Sequence, residues 1–336
     1  MLRIMHRVKI FSLVITCFIA VDINAKNKQT VVFIDPLQSI YYGDQLFVLN
    51  KTLWGKAREK FARAGLILTT DLRYLHTLDC YVVFNAPASP HAQMLMKNKK
   101  VKKILMAWEP PAVDPNNYKG EIWQLFDQVM TFHDEVLKRN KFKRLNYCFA
   151  LTIPHEYVAP SEKKLCTLIA SNKRAIGANT SIYSLRSDIV NFFIAHGHNE
   201  FDLWGHGWPS SIVYRGTVED KLSCMSHYKF AFCFENSCIP GYITEKIFDA
   251  FSAGCVPIYL GAPNIDFYIP INSFINYRDF ASLDDLYHYL TSMTDVEYEK
   301  YLSAARDFLQ SPKARIFSYD AFIDTLLETV KAVLRK

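Results

Sequence analysis

The sequence predicts an α/β protein built from two consecutive domains whose sheets face each other across a cleft. Short apolar segments rich in β-branched residues alternate with segments of helical spacing, which is typical of parallel βαβ units. The alternation is interrupted at residues 153–161 and then begins again, and 336 residues are enough for about two domains. We therefore expect an N-terminal α/β domain over residues 26–156 and a C-terminal α/β domain over residues 157–336.

The first 25 residues are set apart from both domains. Three basic residues within positions 1–9 precede an uncharged apolar run over residues 10–21. This run is shorter than the roughly 20 residues of a membrane-spanning helix, whereas signal peptides have such a basic head and short apolar core. Residues 1–25 are thus expected to be a signal peptide or a short membrane anchor. The glycosylation sequons at Asn50 and Asn179 agree with a secretory route.

The first domain begins with a buried strand at residues 31–35, which the apolar run VVFID predicts and Pro36 ends. A helix is expected at residues 52–64, because its apolar residues recur at helical spacing and Gly65 terminates it. Shorter runs predict the remaining elements, which are strands at residues 66–68, 80–84, 104–108 and 129–132 and a helix at residues 92–97.

The second domain repeats the alternation from residue 166 onward. Its apolar runs predict strands at residues 166–170, 201–204, 228–234 and 256–260, and helices at residues 182–196, 245–253, 280–289 and 296–309. Ser318 is a typical N-cap residue. The apolar stripe that follows it, from Phe322 to Val333, predicts a last helix.

Composition and missing motifs exclude several classes of function. The net charge of +6 is far below that of a dedicated nucleic-acid-binding protein, and the basic runs at residues 97–103 and 138–144 are more typical of solvated faces than of an anion-binding surface. The chain has no GxGxxG, GxxxxGK[ST], GxSxG or HExxH motif, so the usual dinucleotide, P-loop, serine-hydrolase and zinc-protease signatures are absent. It also has no CxxC and no Asp-x-Asp, the usual carboxylate site for a divalent cation beside a diphosphate.

Residues 230–261 carry the strongest functional signal. Their apolar strand runs directly into Glu235 and Asn236, and polar side chains at a strand's carboxyl end are where α/β proteins bind ligands. After a turn, Glu245 and Lys246 open a helix. A lysine in the first turn opposes the helix dipole, whereas phosphate groups bind at helix N-termini. Lys246 is therefore predicted to contact a phosphate, with an exposed surface lysine as the alternative.

The same block resembles the donor-binding motif of the α-1,3-fucosyltransferases, the family that transfers fucose from GDP-fucose. The shared residues are Phe234-Glu235-Asn236-Ser237, Tyr242-Ile243-Thr244-Glu245-Lys246, Gly254, Val256-Pro257 and Gly261. A looser similarity covers about residues 100–285 and includes Arg186 and the segment Trp108-Glu109-Pro110-Pro111. The chain departs from the family pattern at Pro110, where a serine is commoner, and it lacks the C-terminal cysteine motif of animal members.

The resemblance implies a GT-B type architecture of two Rossmann-like domains, in which the first presents the acceptor and the second binds GDP-fucose. It implies inversion at the anomeric carbon, for which Glu109 is the candidate base. Glu235 either contacts the donor or only supports the turn. No metal site and no cofactor are implied, and a divalent cation is expected at most to stimulate the reaction. The donor site implied consists of Arg186, Glu235, Asn236, Tyr242, Glu245 and Lys246.

The expected function is transfer of L-fucose from GDP-fucose to an oligosaccharide or glycoconjugate, α-1,3 to N-acetylglucosamine or glucose. The N-terminus suggests a membrane-associated protein of the secretory pathway, in the Golgi membrane of a eukaryote or at the cytoplasmic side of a bacterial membrane; no nucleic-acid partner is expected. Two alternatives stay open. One is a catalytically silent protein that binds glycans or sugar nucleotides, which would not need Glu109 aligned across the cleft. The other is a GT-B transferase that uses a different nucleotide sugar.

Overall fold

The computed structural model describes residues 29–35, 41–87, 89–153, 158–173, 181–196 and 199–336. Within them the chain forms two parallel sheets, one in each half, with helices packed on their faces. The predicted α/β class is therefore confirmed. The segment of residues 1–25, the linker residues 154–157 and the sequon at Asn179 lie outside the described residues. Among those described, no helix is both long and apolar enough to cross a bilayer.

The first sheet contains the strands β1 (Thr30–Asp35), β2 (Leu66–Thr69), β3 (Cys80–Phe84), β4 (Lys102–Ala107), β5 (Gln128–Thr131) and β6 (Phe142–Arg144). They are all parallel and lie in the order β2-β1-β3-β4-β5-β6. β1, β3 and β4 are almost completely buried, which explains their continuous apolar runs, since both faces of a parallel sheet are covered. β6 is an unexpected edge strand within the basic run of residues 138–144, where Lys143 is exposed between two half-buried neighbours.

The helices of the first half are α1 (Gln45–Leu49), α2 (Lys56–Arg63), α3 (Pro90–Lys97) and α4 (Gly120–Gln124). The predicted helix at residues 52–64 begins as a π-type turn, Lys51–Gly55, that continues into α2. Ser89 starts α3 by accepting a hydrogen bond from the Ala92 N–H group at 3.2 Å. The helices predicted for this half are thus present, and α1 and α4 are short additions.

The second sheet contains the strands β7 (Lys164–Ile169), β8 (Phe201–Trp204), β9 (Tyr228–Phe234), β10 (Val256–Leu260) and β11 (Ile275–Asn276). They are parallel and lie in the order β11-β10-β9-β7-β8. β9 is the central strand, with β10 on one side and β7 on the other. Its carboxyl end, where Glu235 and Asn236 follow, therefore opens at the middle of the sheet edge, which is where open α/β sheets bind ligands.

The helices of the second half are α5 (Ser181–His196), α6 (Lys221–Ser226), α7 (Glu245–Ser252), α8 (Leu283–Ser292) and α9 (Asp295–Gln310). α6 was not predicted, because six residues are too few for a recognisable apolar period. α8 begins at Leu283 rather than at residue 280, since Ser282 caps it by accepting from the Asp285 N–H group at 3.1 Å.

The last helix, α10 (Tyr319–Leu334), begins at Ser318 as predicted, and the Ser318 hydroxyl accepts a hydrogen bond from the Ala321 N–H group at 3.1 Å. The sequence assigned this helix to the C-terminal domain, whereas its apolar face completes the core of the N-terminal sheet. Helical periodicity shows that an apolar face exists, but it carries no information about which sheet covers it. The α10 side chains in that core are Phe322, Ile323, Leu326, Leu327, Val330 and Val333.

The chain therefore crosses between the two halves twice, and the two crossings lie side by side. The Phe149 N–H group donates to the Phe317 carbonyl at 2.8 Å, and Phe149 forms a parallel bridge with Ser318. The first crossing leads on to β7, and the second returns to the first sheet.

Candidate active site

An aromatic cluster joins the carboxyl edges of the two sheets. Phe132 follows β5 and packs against Tyr242 of the second half, with ring centroids 4.8 Å apart, and Tyr147 packs on both rings. The Tyr147 hydroxyl donates to the carbonyl of Trp108, and the two rings lie 4.3 Å apart. Tyr242 is 2% exposed. The structure thus makes Tyr242 a core residue between the halves, where sequence reasoning placed a donor contact.

A polar contact lies beside this cluster. Asp134 of the first half accepts hydrogen bonds from Asn264 Nδ2 and from the Tyr268 hydroxyl, both at 2.8 Å. Burial acts to raise the pKa of Asp134, but these bonds and one from Arg144 hold it below its usual value. Gly241 has a φ of +83°, and a Cβ atom there would lie 2.4 Å from the Phe132 carbonyl oxygen. The loop after Asn236 is therefore held tightly against the first half.

Glu109 lies at the carboxyl edge of the first sheet, just beyond β4. It is half-buried, and burial raises the pKa of its carboxyl group. Lys246 of the second half opposes this shift and Glu245 reinforces it, so both act on Glu109 across the cleft. The Glu109 carboxylate makes no hydrogen bond with the residues that the structure describes. A carboxylate with a raised pKa and free oxygens, facing the other domain, can accept a proton from a bound group.

Lys246 is tied to Glu235 at the start of α7. Its ammonium group donates to Glu235 Oε2 at 2.9 Å, to Thr244 Oγ1 at 2.7 Å and to Glu245 Oε1 at 3.2 Å. Burial acts to lower the pKa of Lys246, but the two carboxylates outweigh it and raise the pKa above its ordinary value. The Lys246 side chain is 18% exposed, so the alternative of an exposed surface lysine is wrong. Its predicted phosphate contact stays a prediction.

Glu235 is fully buried behind Lys246. Besides the lysine, it accepts from the Thr244 N–H group at 2.7 Å and from the Thr244 hydroxyl at 2.6 Å. With 0% exposure it has no surface left for a ligand. Of the two roles open to Glu235 from the sequence, the structure favours support of the turn. The first-turn lysine, which the sequence explained by a phosphate, is therefore also the counterion of a buried carboxylate.

The structure brings Arg186 and Asn236, two residues of the expected donor site, into contact with each other. Arg186 Nη2 donates to the Phe234 carbonyl at 3.0 Å and to Asn236 Oδ1 at 3.3 Å. Arg186 is 5% exposed, its burial lowers the pKa of the guanidinium, and its Nε atom has no hydrogen-bond partner among the described residues. Arg186 and Lys246 line one cavity of about 20 Å³. Two buried cations therefore converge at the end of β9.

Glu245 is the most accessible charged residue of this group, with a side chain that is 48% exposed. Burial of its carboxyl group acts to raise the pKa, but Lys246 and Lys221 outweigh it and lower the pKa to about 2. Glu245 is therefore ionised and able to accept hydrogen bonds from hydroxyl groups. Lys221 itself is paired with Asp249 at 2.7 Å.

Several functional residues were missed by sequence reasoning. Asn85 and Asn117 hold the backbone of Glu109, and Asp134 and Tyr147 contact Asn264 and Tyr242 of the second half. Asn85 could have been found, because it directly follows β3, just as Glu235 and then Asn236 follow β9. Asn117 lies in the short 3-10 helix Pro115–Tyr118, which no sequence pattern indicated. Over the described ranges, no group of three His, Cys, Asp or Glu residues is arranged to hold a metal ion.

Residues 160–320 match the family model for the C-terminal region of glycosyltransferase family 10 (fucosyltransferase). A curated relative, 4-galactosyl-N-acetylglucosaminide 3-alpha-L-fucosyltransferase 9 of Rattus norvegicus, is 30% identical over 213 residues, which cover 62% of this chain and 54% of that protein. Alpha-(1,4)-fucosyltransferase of Arabidopsis thaliana is 38% identical over 116 residues, 33% of this chain and 29% of that protein. The match to the rat relative therefore spans about half of that protein's length.

Solved structures share the whole architecture. An alpha1,3-fucosyltransferase superimposes with a TM-score of 0.60 and 18% identity over 93% of this chain and 92% of that chain, and its complex with GDP-fucose gives 0.57 and 16% over 92% and 90%. An alpha-glucosyltransferase in complex with UDP-glucose and DNA gives 0.54 and 11% over 91% and 99%. At these identities the similarity shows the fold, which confirms the expected GT-B type arrangement of two facing α/β domains.

Proposed function

We propose, from the premise that residues 160–320 of this chain belong to glycosyltransferase family 10, that the protein transfers L-fucose from GDP-fucose to a hydroxyl group of a glycan. The observation that carries the proposal is the position of Glu109. This carboxylate comes from the first domain, has a raised pKa and lies within electrostatic range of Lys246 and Glu245 of the second. A protein that only binds glycans or sugar nucleotides would not need this alignment.

The second domain binds the donor in this proposal. Lys246 and Arg186 lie close together at the end of β9, and in this proposal their positive charges neutralise the charge that develops on the departing diphosphate. Asn236, half-buried and bonded to Arg186, and the ionised Glu245 bind hydroxyl groups of the sugar nucleotide. Glu235 and Tyr242 take no direct part, because they are buried beneath these contacts.

The reaction is a single in-line displacement. The acceptor oxygen attacks the anomeric carbon of fucose from the face opposite GDP, and the bond between that carbon and the diphosphate oxygen breaks with its electron pair on GDP. Glu109 accepts the proton of the acceptor hydroxyl, and the anomeric configuration inverts. The raised pKa of Glu109 strengthens it as a base, provided that the pH stays high enough to keep it ionised. The name of the rat relative supports an α-1,3 linkage, whereas the Arabidopsis relative is named for α-(1,4); we propose α-1,3 linkage to N-acetylglucosamine or glucose as the product.

A donor and acceptor screen tests the function directly. We expect the full chain to release GDP and to fucosylate N-acetyllactosamine or lactose when it is given GDP-fucose, and not when it is given GDP-mannose, UDP-glucose or UDP-galactose. NMR of the product then assigns the linkage and the anomeric configuration. If the protein transferred sugar only from a donor other than GDP-fucose, it would be a transferase that uses a different nucleotide sugar. If it bound GDP-fucose but fucosylated no acceptor, it would be a catalytically silent binding protein.

We propose that no divalent cation is required. The chain lacks Asp-x-Asp, and two cations with the N–H groups that open α7 can neutralise the diphosphate instead. Initial rates are therefore expected to survive exhaustive chelation with EDTA followed by desalting. Stimulation by added Mn²⁺ is compatible with this expectation, because Mn²⁺ binds released GDP. A loss beyond ~100-fold, about 2.7 kcal/mol of transition-state stabilisation, that one divalent ion restores would contradict it.

We also propose association with a membrane of the secretory pathway through residues 1–25, or with the cytoplasmic side of a bacterial membrane. The support is the order of basic and apolar residues in that segment. Fractionation of cells that express the full chain, compared with a chain lacking residues 1–25, would show whether this segment holds the protein at the membrane.

A further inference from the structure

Asn85 occupies an unusual position at the end of β3. It has a φ of +59°, in the left-handed region that asparagine tolerates better than most residues. It is 6% exposed, and its own N–H group donates to the Met106 carbonyl of the neighbouring strand β4 at 2.9 Å. The left-handed turn therefore occurs beside β4, the strand that leads to Glu109.

The Asn85 side chain is a single acceptor for three donors. Its Oδ1 atom accepts from the Glu109 N–H group at 2.9 Å, from the Trp108 N–H group at 3.0 Å and from Asn117 Nδ2 at 2.7 Å. Trp108 and Glu109 have left the ladder of the sheet, so these bonds replace the strand pairing that their N–H groups would otherwise have. One amide oxygen thus fixes two successive peptide units just after β4.

The carbonyl side of Glu109 is held as well. Asn117 Nδ2 and the Tyr118 hydroxyl both donate to the Glu109 carbonyl at 3.1 Å. Asn117 is 0% exposed, and its Oδ1 atom accepts from the Ala86 N–H group at 2.7 Å, which ties it back to the turn of Asn85. The backbone of Glu109 is therefore bonded on both sides, while its carboxylate makes no hydrogen bond with described residues.

We infer that Asn85 is a positioning residue for Glu109: through its Oδ1 atom it fixes the backbone from which the carboxylate reaches across the cleft. This inference rests on the proposed function, in which Glu109 is the base. Asn85 acts through Glu109 and touches neither donor nor acceptor. A base displaced by about 1 Å from the acceptor hydroxyl loses about 100-fold in rate, whereas donor binding in the other domain is unaffected.

Asn85→Gly removes the side chain while it leaves the backbone conformation unchanged, so it tests the contribution of the side chain alone. Glycine adopts a φ of +59° without strain, so the variant keeps the turn and loses only the acceptor for three donors. We expect kcat to fall about 100-fold, with the Kd for GDP within twofold of the wild type. Asn98→Gly is the matched control. Asn98 follows α3 at the opposite edge of the sheet, where its side chain accepts one backbone bond, from Lys100, and the variant should keep the wild-type kcat.

Asn85→Asp provides two readouts, the rescue of kcat by the acceptor oxygen that it keeps and the effect of its added charge on the pH profile. The aspartate keeps an acceptor oxygen for the three donors, so kcat at high pH should recover to within a few-fold of the wild type. Its negative charge beside Glu109 raises the pKa of that carboxyl group. Since Glu109 must be ionised to act as a base, the acidic limb of the kcat profile is expected to move up by about one pH unit.

The other charged and titratable groups around Glu109 are unchanged in these variants and serve as the common background. They come from both halves, and they are Asp114, Lys173, Glu245 and Lys246, the tyrosines Tyr118, Tyr147 and Tyr242, and the nearby His133. Because they are shared, a difference between Asn85→Asp and the wild type reports the added charge alone.

The outcomes separate the inference from the proposed function. A folded Asn85→Gly protein with kcat within threefold of the wild type, beside an inactive Glu109→Gln protein, would overturn the inference alone. Failure of Asn85→Asp to recover kcat at high pH would also overturn it, and this arm applies even if the glycine variant does not fold. A Glu109→Gln protein as active as the wild type would overturn the base assignment and the inference with it. The inference is supported if kcat falls in Asn85→Gly, recovers in Asn85→Asp at high pH, and shows an acidic limb at higher pH in Asn85→Asp.

Discussion

Glu109→Gln is expected to lower kcat at least ~100-fold while the Kd for GDP stays within about twofold of the wild type. Glutamine has the size of glutamate and fits the half-buried position, but its amide cannot take the proton of the acceptor hydroxyl. Because Glu109 belongs to the first domain and the donor contacts to the second, binding of GDP should not sense the change. Initial rates and calorimetry of GDP binding on the same preparation measure both quantities.

The pH profile sharpens this prediction. Burial raises the pKa of Glu109, so in the wild type kcat should decline on the acidic side at a pH above the usual titration of a glutamate. The residual activity of Glu109→Gln should lack that limb. Glu121→Gln is the matched control, because Glu121 is an exposed glutamate in α4 of the same domain. Near-normal turnover in Glu109→Gln would remove Glu109 from the role of base.

Lys246→Met is expected to destabilise the protein by about 3–5 kcal/mol, the usual cost of stranding one charge of a buried ion pair. Glu235 is 0% exposed, and removal of the lysine would leave it with only the two hydrogen bonds from Thr244. Denaturant unfolding of the GDP-free protein measures the loss. Lys229→Met is the control. Lys229 is paired with Asp295 and lies near the opposite, amino end of β9, and the Asp295 side chain is 70% exposed, so little should be lost.

The double variant Glu235→Gln/Lys246→Met distinguishes two roles of Lys246, contact with phosphate and neutralisation of Glu235. It removes both charges, and we expect about 2 kcal/mol of the stability to return. If Lys246 also contacts phosphate, GDP should still bind at least ~10-fold more weakly than to the wild type, because a hydrogen bond to a charged group contributes about 1.5–3 kcal/mol. Binding of guanosine, which has no phosphate, should be unchanged. Recovery of both stability and GDP affinity would show that Lys246 only neutralises Glu235.

Much of the fold could be predicted because strand identity depends on local apolar runs. The runs at residues 80–84, 201–204, 228–234 and 256–260 coincide with β3, β8, β9 and β10 to the residue. The sheet partner of α10 could not be predicted, because the residues that cover its apolar face are distant in sequence. β6 was missed for a different reason: this edge strand has three residues, of which only Phe142 is apolar and the other two are basic, so no apolar run marks it.

The sequence predicted which residues gather at the site, but it did not predict which of them are buried beneath its surface. Asn236 was indicated by its place after a strand end and Arg186 by the resemblance to the fucosyltransferases, and in the structure the two side chains meet. Glu235 and Tyr242 share the same motif, yet one is a buried counterion and the other a core residue between domains. A sequence motif shows which residues belong to a site, but it does not show which of them contact the ligand and which are buried supports of those contacts.

The side-by-side crossings at Phe149 and Phe317 govern how the cleft can open. A single linker would let the halves swivel and slide against each other. Two adjacent, hydrogen-bonded segments instead act as one hinge, since they bend together but resist torsion about their length. We therefore expect any opening of the cleft to be a rotation about the axis that these paired segments define, rather than a sliding of one half past the other. Such a hinge would keep Glu109 opposite the start of α7 whenever the two halves come together, so the alignment of acceptor and donor would depend on where the chain crosses between the domains.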